Sequence, residues 1–187
     1  MMQEIRFHGR GGQGTVLASI SLAKAIFESG YQVQTFPLFG VERRGAPVEA
    51  FLRISEKKIL VRSNVYTPDH IVIMDNKLLG SIDVTRGLKP GGWILINSSE
   101  LPNKLESYKG FNIACVDATG IALKHRLGTK IQPIINTAMM GAFSRTLEMP
   151  SMQFIENAIM SEVPVKQEEN VRAAKDAYDS VRLHGMV

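Results

Sequence analysis

The chain has 187 residues, 44% hydrophobic and 21% charged, with a formal net charge of +4, a balance that suits one globular domain spanning residues 1–187 and burying its core without staples. The lone cysteine, Cys115, excludes an internal disulfide, a multi-thiolate zinc site and a four-cysteine iron–sulfur cluster on this chain. Basic residues are dispersed, no apolar run approaches the roughly 18 residues of a membrane span, and the first residues lack a secretory leader, so the expectation is a cytoplasmic protein that binds neither nucleic acid nor membrane.

Strand and helix signals alternate along the chain. Ile5-Arg6-Phe7-His8 has the length of a strand, and the glycine-rich run Gly9-Arg10-Gly11-Gly12-Gln13-Gly14 follows it directly. From Thr15 to Ser29, apolar residues at Val16, Ala18, Ile20, Ala23, Ile26 and Phe27 keep a helical spacing, with Gly30 placed to stop the helix. Tyr31 to Phe36 reads as a second strand, which makes the opening a β-turn-α-β unit with a parallel crossover. Val48 to Ile54 then alternates apolar and polar residues and is followed after Ser55-Glu56-Lys57-Lys58 by a short second run, Ile59 to Arg62. Together they read as a β-hairpin, so the sheet is mixed.

Three later segments share one design: Ile71-Val72-Ile73-Met74-Asp75, Trp93-Ile94-Leu95-Ile96-Asn97 and Ile113-Ala114-Cys115-Val116-Asp117. Each is a continuous apolar run, as expected for a strand covered on both faces, and each ends at a polar residue. Asp75, Asn97 and Asp117 would therefore line one edge of the sheet, either meeting a ligand or capping the element that follows. Lys89-Pro90-Gly91-Gly92 is a turn before the Trp93 strand. Helices follow from Ala118 to Leu127, Asn136 to Leu147, Ser151 to Met160 and about 165 to 184, with Pro133, Pro150 and Pro164 between them. The fold class is α/β: a single three-layer α/β/α domain around a mostly parallel, mixed sheet, with a Rossmann-like glycine loop after the first strand.

The glycine run fits G-x-G-x-x-G between a strand and a helix, the context in which glycines let a backbone approach an anion and a helix N-terminus offers unpaired N–H groups. A dinucleotide fingerprint also needs an acid near the end of the second strand, and Gln32-Val33-Gln34-Thr35-Phe36 holds none, which disfavours NAD. Gly14 is followed by Thr15 and Val16 rather than lysine and a hydroxyl residue, so the run is not a P-loop. Phe39-Gly40-Val41-Glu42-Arg43-Arg44-Gly45-Ala46-Pro47-Val48 suits a loop that presents fixed charge. Arg43 and Arg44 would join Arg10 in an anion-attracting cluster, or dock a neighbouring subunit. His8 reads as a structural donor, Cys115 as a buried inert thiol, and no catalytic set or metal-ligand spacing is visible.

Taken together, Gly9 to Gly14, Phe39 to Val48 and Asn136-Thr137-Ala138-Met139-Met140-Gly141-Ala142 resemble the gamma subunit of the 2-oxoacid:ferredoxin oxidoreductases, most closely the pyruvate enzymes (pyruvate synthase), over about Gln3 to Met160. The resemblance implies a subunit, inactive alone, of a complex that converts a 2-oxoacid and coenzyme A into acyl-CoA and carbon dioxide and reduces ferredoxin. It implies alpha, beta and delta partner subunits that carry thiamine diphosphate and iron–sulfur clusters, and a role for this chain in binding coenzyme A beside the thiamine site. On that basis Gly9, Gly11, Gly12 and Gly14 form the close-approach loop, Arg10, Arg43 and Arg44 contact an anion or a subunit, and Gln13 hydrogen bonds at the crevice mouth. Asn136 and Gly141 read as a helix start and a close helix contact. Complexes acting on 2-oxoglutarate or branched-chain 2-oxoacids stand as alternatives. An NADP-binding reductase using Arg43 and Arg44, or a structural adaptor with a vestigial loop, would be explanations of another class.

Overall fold

The computed structural model describes residues 2–38, 45–103 and 105–186. Its strands in chain order are β1 (Gln3–Arg10), β2 (Gln32–Pro37), β3 (Pro47–Ser55), β4 (His70–Ile73), β5 (Trp93–Asn97), β6 (Asn112–Val116) and β7 (Arg182–Met186). The α-helices are α1 (Thr15–Glu28), α2 (Ala118–Lys124), α3 (Asn136–Leu147), α4 (Met152–Glu162) and α5 (Gln167–Ser180). The strands form one mixed sheet in the order β2-β3-β1-β4-β5-β6-β7. The β1, β4, β5 and β6 strands run parallel, while β3 and β7 are antiparallel to their neighbours.

The continuous apolar runs are explained by what covers each face. Val72, Leu95, Ala114 and Val116 join the core beneath the α-helices, whereas Ile71, Ile73, Ile94, Ile96, Ile113 and Cys115 point to the opposite face. There Leu78 and Tyr108, from the 3₁₀ helices Asn76–Gly80 and Leu105–Tyr108, close the core together with Val84 and Leu88. The third layer is therefore built from short turns and loops, and the α-helices pack on one face. Each fully buried leucine or isoleucine contributes about 1.5–3 kcal/mol, so alternate residues of one strand stabilise two separate layers. Gly141 holds α3 against α5 closely enough that a Cβ there would overlap the Ala174 carbonyl, the close helix contact expected of it.

Four local expectations are corrected. The β1 strand runs on through Gly9 and Arg10, which pair with Val48 and Pro47, so the loop proper begins at Gly11. The β2 strand does not pair with β1, because β3 lies between them, and the crossover is split. Residues 59–62 carry no strand: β1 and β2 occupy both edges of β3, and Leu60 and Val61 lie exposed. The last helix ends at Ser180, after which Arg182–Met186 turns extended and adds antiparallel to β6, taking an edge that would otherwise stay open.

Candidate functional site

The β1 strand delivers the chain to the carboxyl end of the sheet, where residues 11–14 turn it into α1. Gly11 is held at both polar groups, its N–H donating to the Ala46 carbonyl (2.9 Å) and its carbonyl accepting from the Gly45 N–H (3.0 Å). Gly14 precedes the helix with φ of 76°, a left-handed conformation that favours glycine, and a Cβ there would come 2.5 Å from the Asn136 side chain. At Gly9 a Cβ would overlap the Thr15 hydroxyl. These two glycines let β1, α1 and the start of α3 meet around one cleft of about 680 Å³.

Side chains then fix the loop. Gln13 accepts from the Arg10 N–H through Oε1 (2.8 Å) and donates through Nε2 to Asp75 Oδ2 (3.0 Å). The same carboxylate oxygen accepts from Arg10 Nε (2.9 Å), and Arg10 Nη1 donates to the Gly45 carbonyl (3.1 Å). Asp75 also accepts from the Lys77 N–H, capping the 3₁₀ turn. The Arg10 side chain stays 28% exposed beside the cleft.

The cleft floor carries unused polar capacity. The first intrahelical bond of α1 runs from the Ala18 N–H to the Gly14 carbonyl, so the amides of Thr15, Val16 and Leu17 precede the helical ladder. The Thr15 hydroxyl and the Asn136 side-chain carbonyl are buried and have no hydrogen-bond partner among the described residues. Both residues line the cleft, whose rim carries exposed Leu17 and Ile134.

A second crevice, of about 460 Å³, lies over the carboxyl ends of β4, β5 and β6 and shares the lining residues Gln13, Gln132 and Pro133 with the first. Asp75, Asn97 and Asp117 line it together, as the strand-end pattern requires. Each also works locally. Asn97 donates to the Met74 carbonyl (3.0 Å) and the Thr119 hydroxyl (3.1 Å), and Asp117 caps α2 by accepting from the Gly120 N–H (2.8 Å). The boundary between the two hollows is the switch point between β1 and β4, where the connection from β1 leads one way across the sheet and β4 opens the other half.

Gly9, Arg10, Gly11, Gly12, Gln13 and Gly14 are thus brought together, and all but Gly9 line the first cleft. Arg43 and Arg44 lie outside the described residues. Thr15, Asn136, Lys77, Lys130 and Gln132 were not singled out as ligand-facing by the sequence. Only Asn136 carried a signal, as a polar residue at a helix start, and it makes no capping bond there.

His8 is structural, but as an acceptor: Arg6 Nε donates to its Nε2 at 3.0 Å, and burial beside Arg6 pushes its pKa down to about 3, leaving it neutral. Burial pushes the Cys115 thiol up to about 11, as an inert core thiol requires. Among the described residues no helix is long and apolar enough to cross a membrane.

Comparison with known proteins follows the same lines. Residues 4–180 match the family model of pyruvate ferredoxin/flavodoxin oxidoreductase. Pyruvate synthase subunit PorC of Methanocaldococcus jannaschii is 47% identical over 181 residues, covering 96% of this chain and 97% of that one. The common gamma subunit of the pyruvate and ketoisovalerate oxidoreductases of Thermococcus kodakarensis is 46% identical over 188 residues, covering 98% and 99%. The crystal structure of pyruvate oxidoreductase subunit PORC from Thermotoga maritima shares the fold with a TM-score of 0.81 at 35% identity, covering 97% and 98%.

Proposed function

Because this chain belongs to the pyruvate ferredoxin/flavodoxin oxidoreductase family, as a gamma subunit that works within a multi-subunit complex, we propose that it supplies the cleft in which coenzyme A docks by its phosphates during 2-oxoacid oxidation. The observation that carries this reading is the buried, unpartnered Thr15 hydroxyl beside the open N-terminus of α1. A buried polar group without a partner costs about 1–3 kcal/mol, and a pyrophosphate oxygen seated there would satisfy it. Arg10 is placed to add a charge-assisted bond, held in position by Asp75 and Gln13.

The complex would convert a 2-oxoacid, coenzyme A and two oxidised ferredoxins into acyl-CoA, carbon dioxide, two reduced ferredoxins and a proton. Thiamine diphosphate and iron–sulfur clusters, when bound, supply decarboxylation and electron transfer. The residues here do not fit a cluster, since the one thiol is Cys115, sealed in β6. Those groups belong to alpha, beta and delta partners, and this chain's part is to bind and orient the thiol cosubstrate. The Thermococcus kodakarensis relative is named as common to pyruvate and ketoisovalerate enzymes, which supports a gamma subunit that leaves the choice of 2-oxoacid to its partners. Pyruvate is the substrate we assign.

The test is steady-state kinetics of the assembled complex. Arg10→Ala is expected to raise the KM for coenzyme A about tenfold, the equivalent of about 1.4 kcal/mol, with kcat and the pyruvate KM unchanged. An unaltered coenzyme A KM in an intact complex overturns the docking role. Replacing Arg43 and Arg44 by alanine separates their two readings: a raised KM marks phosphate contact, and failed assembly marks a subunit interface.

A further inference from the structure

We propose that residues 57–66 and the hollow beside Tyr66 form the seat of a partner subunit of the oxidoreductase complex, one whose matching surface is apolar at its centre and bears carboxylates at its rim. This rests on the chain's place in a multi-subunit family and is independent of the coenzyme A reading, because the face lies on the side of the sheet away from the α-helices.

Three observations locate and characterise this face. First, the layer opposite the α-helices covers only half of the sheet. Ile5, Phe7, Leu52 and Ile54 join the core beneath the helices, so the residues that alternate with them, Arg6, Phe51 and Arg53, point the other way. The core on that side takes residues from β4, β5 and β6 but none from β1, β2 or β3. Over β1 and β3 there is instead a hollow of about 700 Å³, lined by Arg6, Glu49 and Phe51 from the sheet and by Tyr66, Asp83 and Arg86 from the loops. Second, the segment that runs into this hollow is held firmly yet turned outward. Arg53 donates to the Ser63 carbonyl through Nη2 (2.6 Å) and to the Val61 carbonyl through Nη1 (3.4 Å), Val65 is buried, and Gly87 packs so closely that a Cβ there would overlap the Tyr66 carbonyl. Leu60, Val61 and Tyr66 are nevertheless 77%, 40% and 72% exposed, and Leu38, 40% exposed, also lines the hollow. Single exposed apolar residues are ordinary, but apolar side chains gathered on a fixed segment beside an open hollow fit burial against another protein, at little cost in ordering.

Third, the chemistry selects the occupant. In the hollow, Arg6 and Arg86 are matched by Glu49 and Asp83. Along the segment, Lys57, Lys58 and Arg62 are exposed and have no ion-pair partner among the described residues, against one carboxylate, Glu56. The N–H groups of residues 59–62 make no hydrogen bond among the described residues, while the carbonyls of Val61 and Ser63 are taken by Arg53. The segment thus offers donors and positive charge, which suit carboxylate and carbonyl acceptors. A second copy of this chain meets an obstacle here: a two-fold interface sets a patch against itself, and the same cations would face one another. A different subunit with an acidic rim does not.

The test is how firmly the complex holds this chain. The assembled complex carrying each variant is diluted stepwise, and retention of the chain is followed by sedimentation velocity. Leu60→Asp and Tyr66→Ala should each raise the dissociation constant about tenfold. Wild-type retention should weaken with added salt, and Lys57→Glu/Lys58→Glu/Arg62→Glu should weaken it about tenfold at low salt and flatten that dependence. The altered side chains are exposed, so the isolated full-length variants should melt at the wild-type temperature. Unchanged retention in all three variants overturns the proposal. So does weaker retention matched by an earlier melt, which would tie the segment to the fold. A wild-type chain that sediments alone as a dimer, split into monomers by Tyr66→Ala, overturns it by assigning the face to a second copy. The coenzyme A reading stands or falls separately, on the kinetics of Arg10→Ala.

Discussion

Two arginines on neighbouring strands show opposite ways of placing a charge. Arg53, on β3, is fully buried and closed: Nε donates to Glu4 (2.8 Å), Nη1 to Gln34 (2.8 Å), Nη2 to the Ser63 carbonyl (2.6 Å), and its guanidinium lies 5.3 Å from the Phe36 ring centroid. Arg10, on the adjacent β1, is partly exposed and shares one carboxylate with Gln13, and the cleft it borders holds a buried hydroxyl and a buried amide carbonyl that have no partner among the described residues. The first cluster is complete within the chain and pins the 61–63 segment to the sheet. The second is incomplete among the described residues. The polar capacity left unsatisfied at the sheet's carboxyl edge is what the proposed ligand would fill, whereas the equally charged but saturated cluster serves as scaffold.

The largest expected effect breaks the closed cluster. Arg53→Ala strands Glu4 beside a buried gap and should cost about 3–5 kcal/mol in denaturant unfolding, while Arg10→Ala in the same assay should cost less than about 1 kcal/mol. Equal losses would erase the distinction between the two regions.

The other buried titratable groups of β1 sharpen the comparison through pH. His8 packs against Arg6, with Glu49 Oε1 3.4 Å from its Nδ1 and Asp83 also acting on it, and its folded pKa is about 3 against 6.5 for the free side chain. Between these values the unfolded chain holds a proton that the folded chain does not, so stability is intact above about pH 6.5 and falls as pH drops towards 3. The slope approaches about 1.4 kcal/mol per pH unit. His70, also lowered by burial, acts in the same direction. The His8 share is therefore the difference between wild type and His8→Gln, whose amide oxygen can accept from Arg6. The variant should show a flatter stability profile between pH 6.5 and 5, and an unchanged profile would remove His8 from the buried cluster.

The sequence discloses those features whose cause is local. Apolar runs ending at Asp75, Asn97 and Asp117 could be read directly because both faces of those strands are covered, and Gly9 to Gly14 could be read because a strand and a helix flank them. Features decided by a distant edge could not. Residues 182–186 continue a helical stretch in the chain, yet the free edge of β6 draws them into the sheet, and residues 59–62 find both edges of β3 already taken. The site divides the same way. Arg10 and Gln13 lie within the motif, while Asn136, Lys77 and Lys130 reach the crevice only through the packing of α3, the 3₁₀ turn after β4 and the 129–134 segment. No spacing in the chain records that meeting.

The smallest expected change in stability discriminates best between scaffold and site. Thr15→Val replaces a buried hydroxyl by a methyl of similar shape, at a position where β-branching is already accommodated. Were that hydroxyl part of a closed network like that of Arg53, its removal would leave a partner unsatisfied and destabilise the chain by about 1–3 kcal/mol. It has no partner among the described residues, so stability should hold or rise by up to about 1 kcal/mol, since an unmatched polar group has been taken out of the interior. Binding should move the opposite way, with the coenzyme A KM of the assembled complex rising several-fold as the phosphate loses a donor, and the pyruvate KM unchanged. A variant less stable than wild type with an unchanged coenzyme A KM would show that Thr15 serves the fold alone, and the open mouth of α1 would lose its claim to be different in kind from the closed cluster on β3.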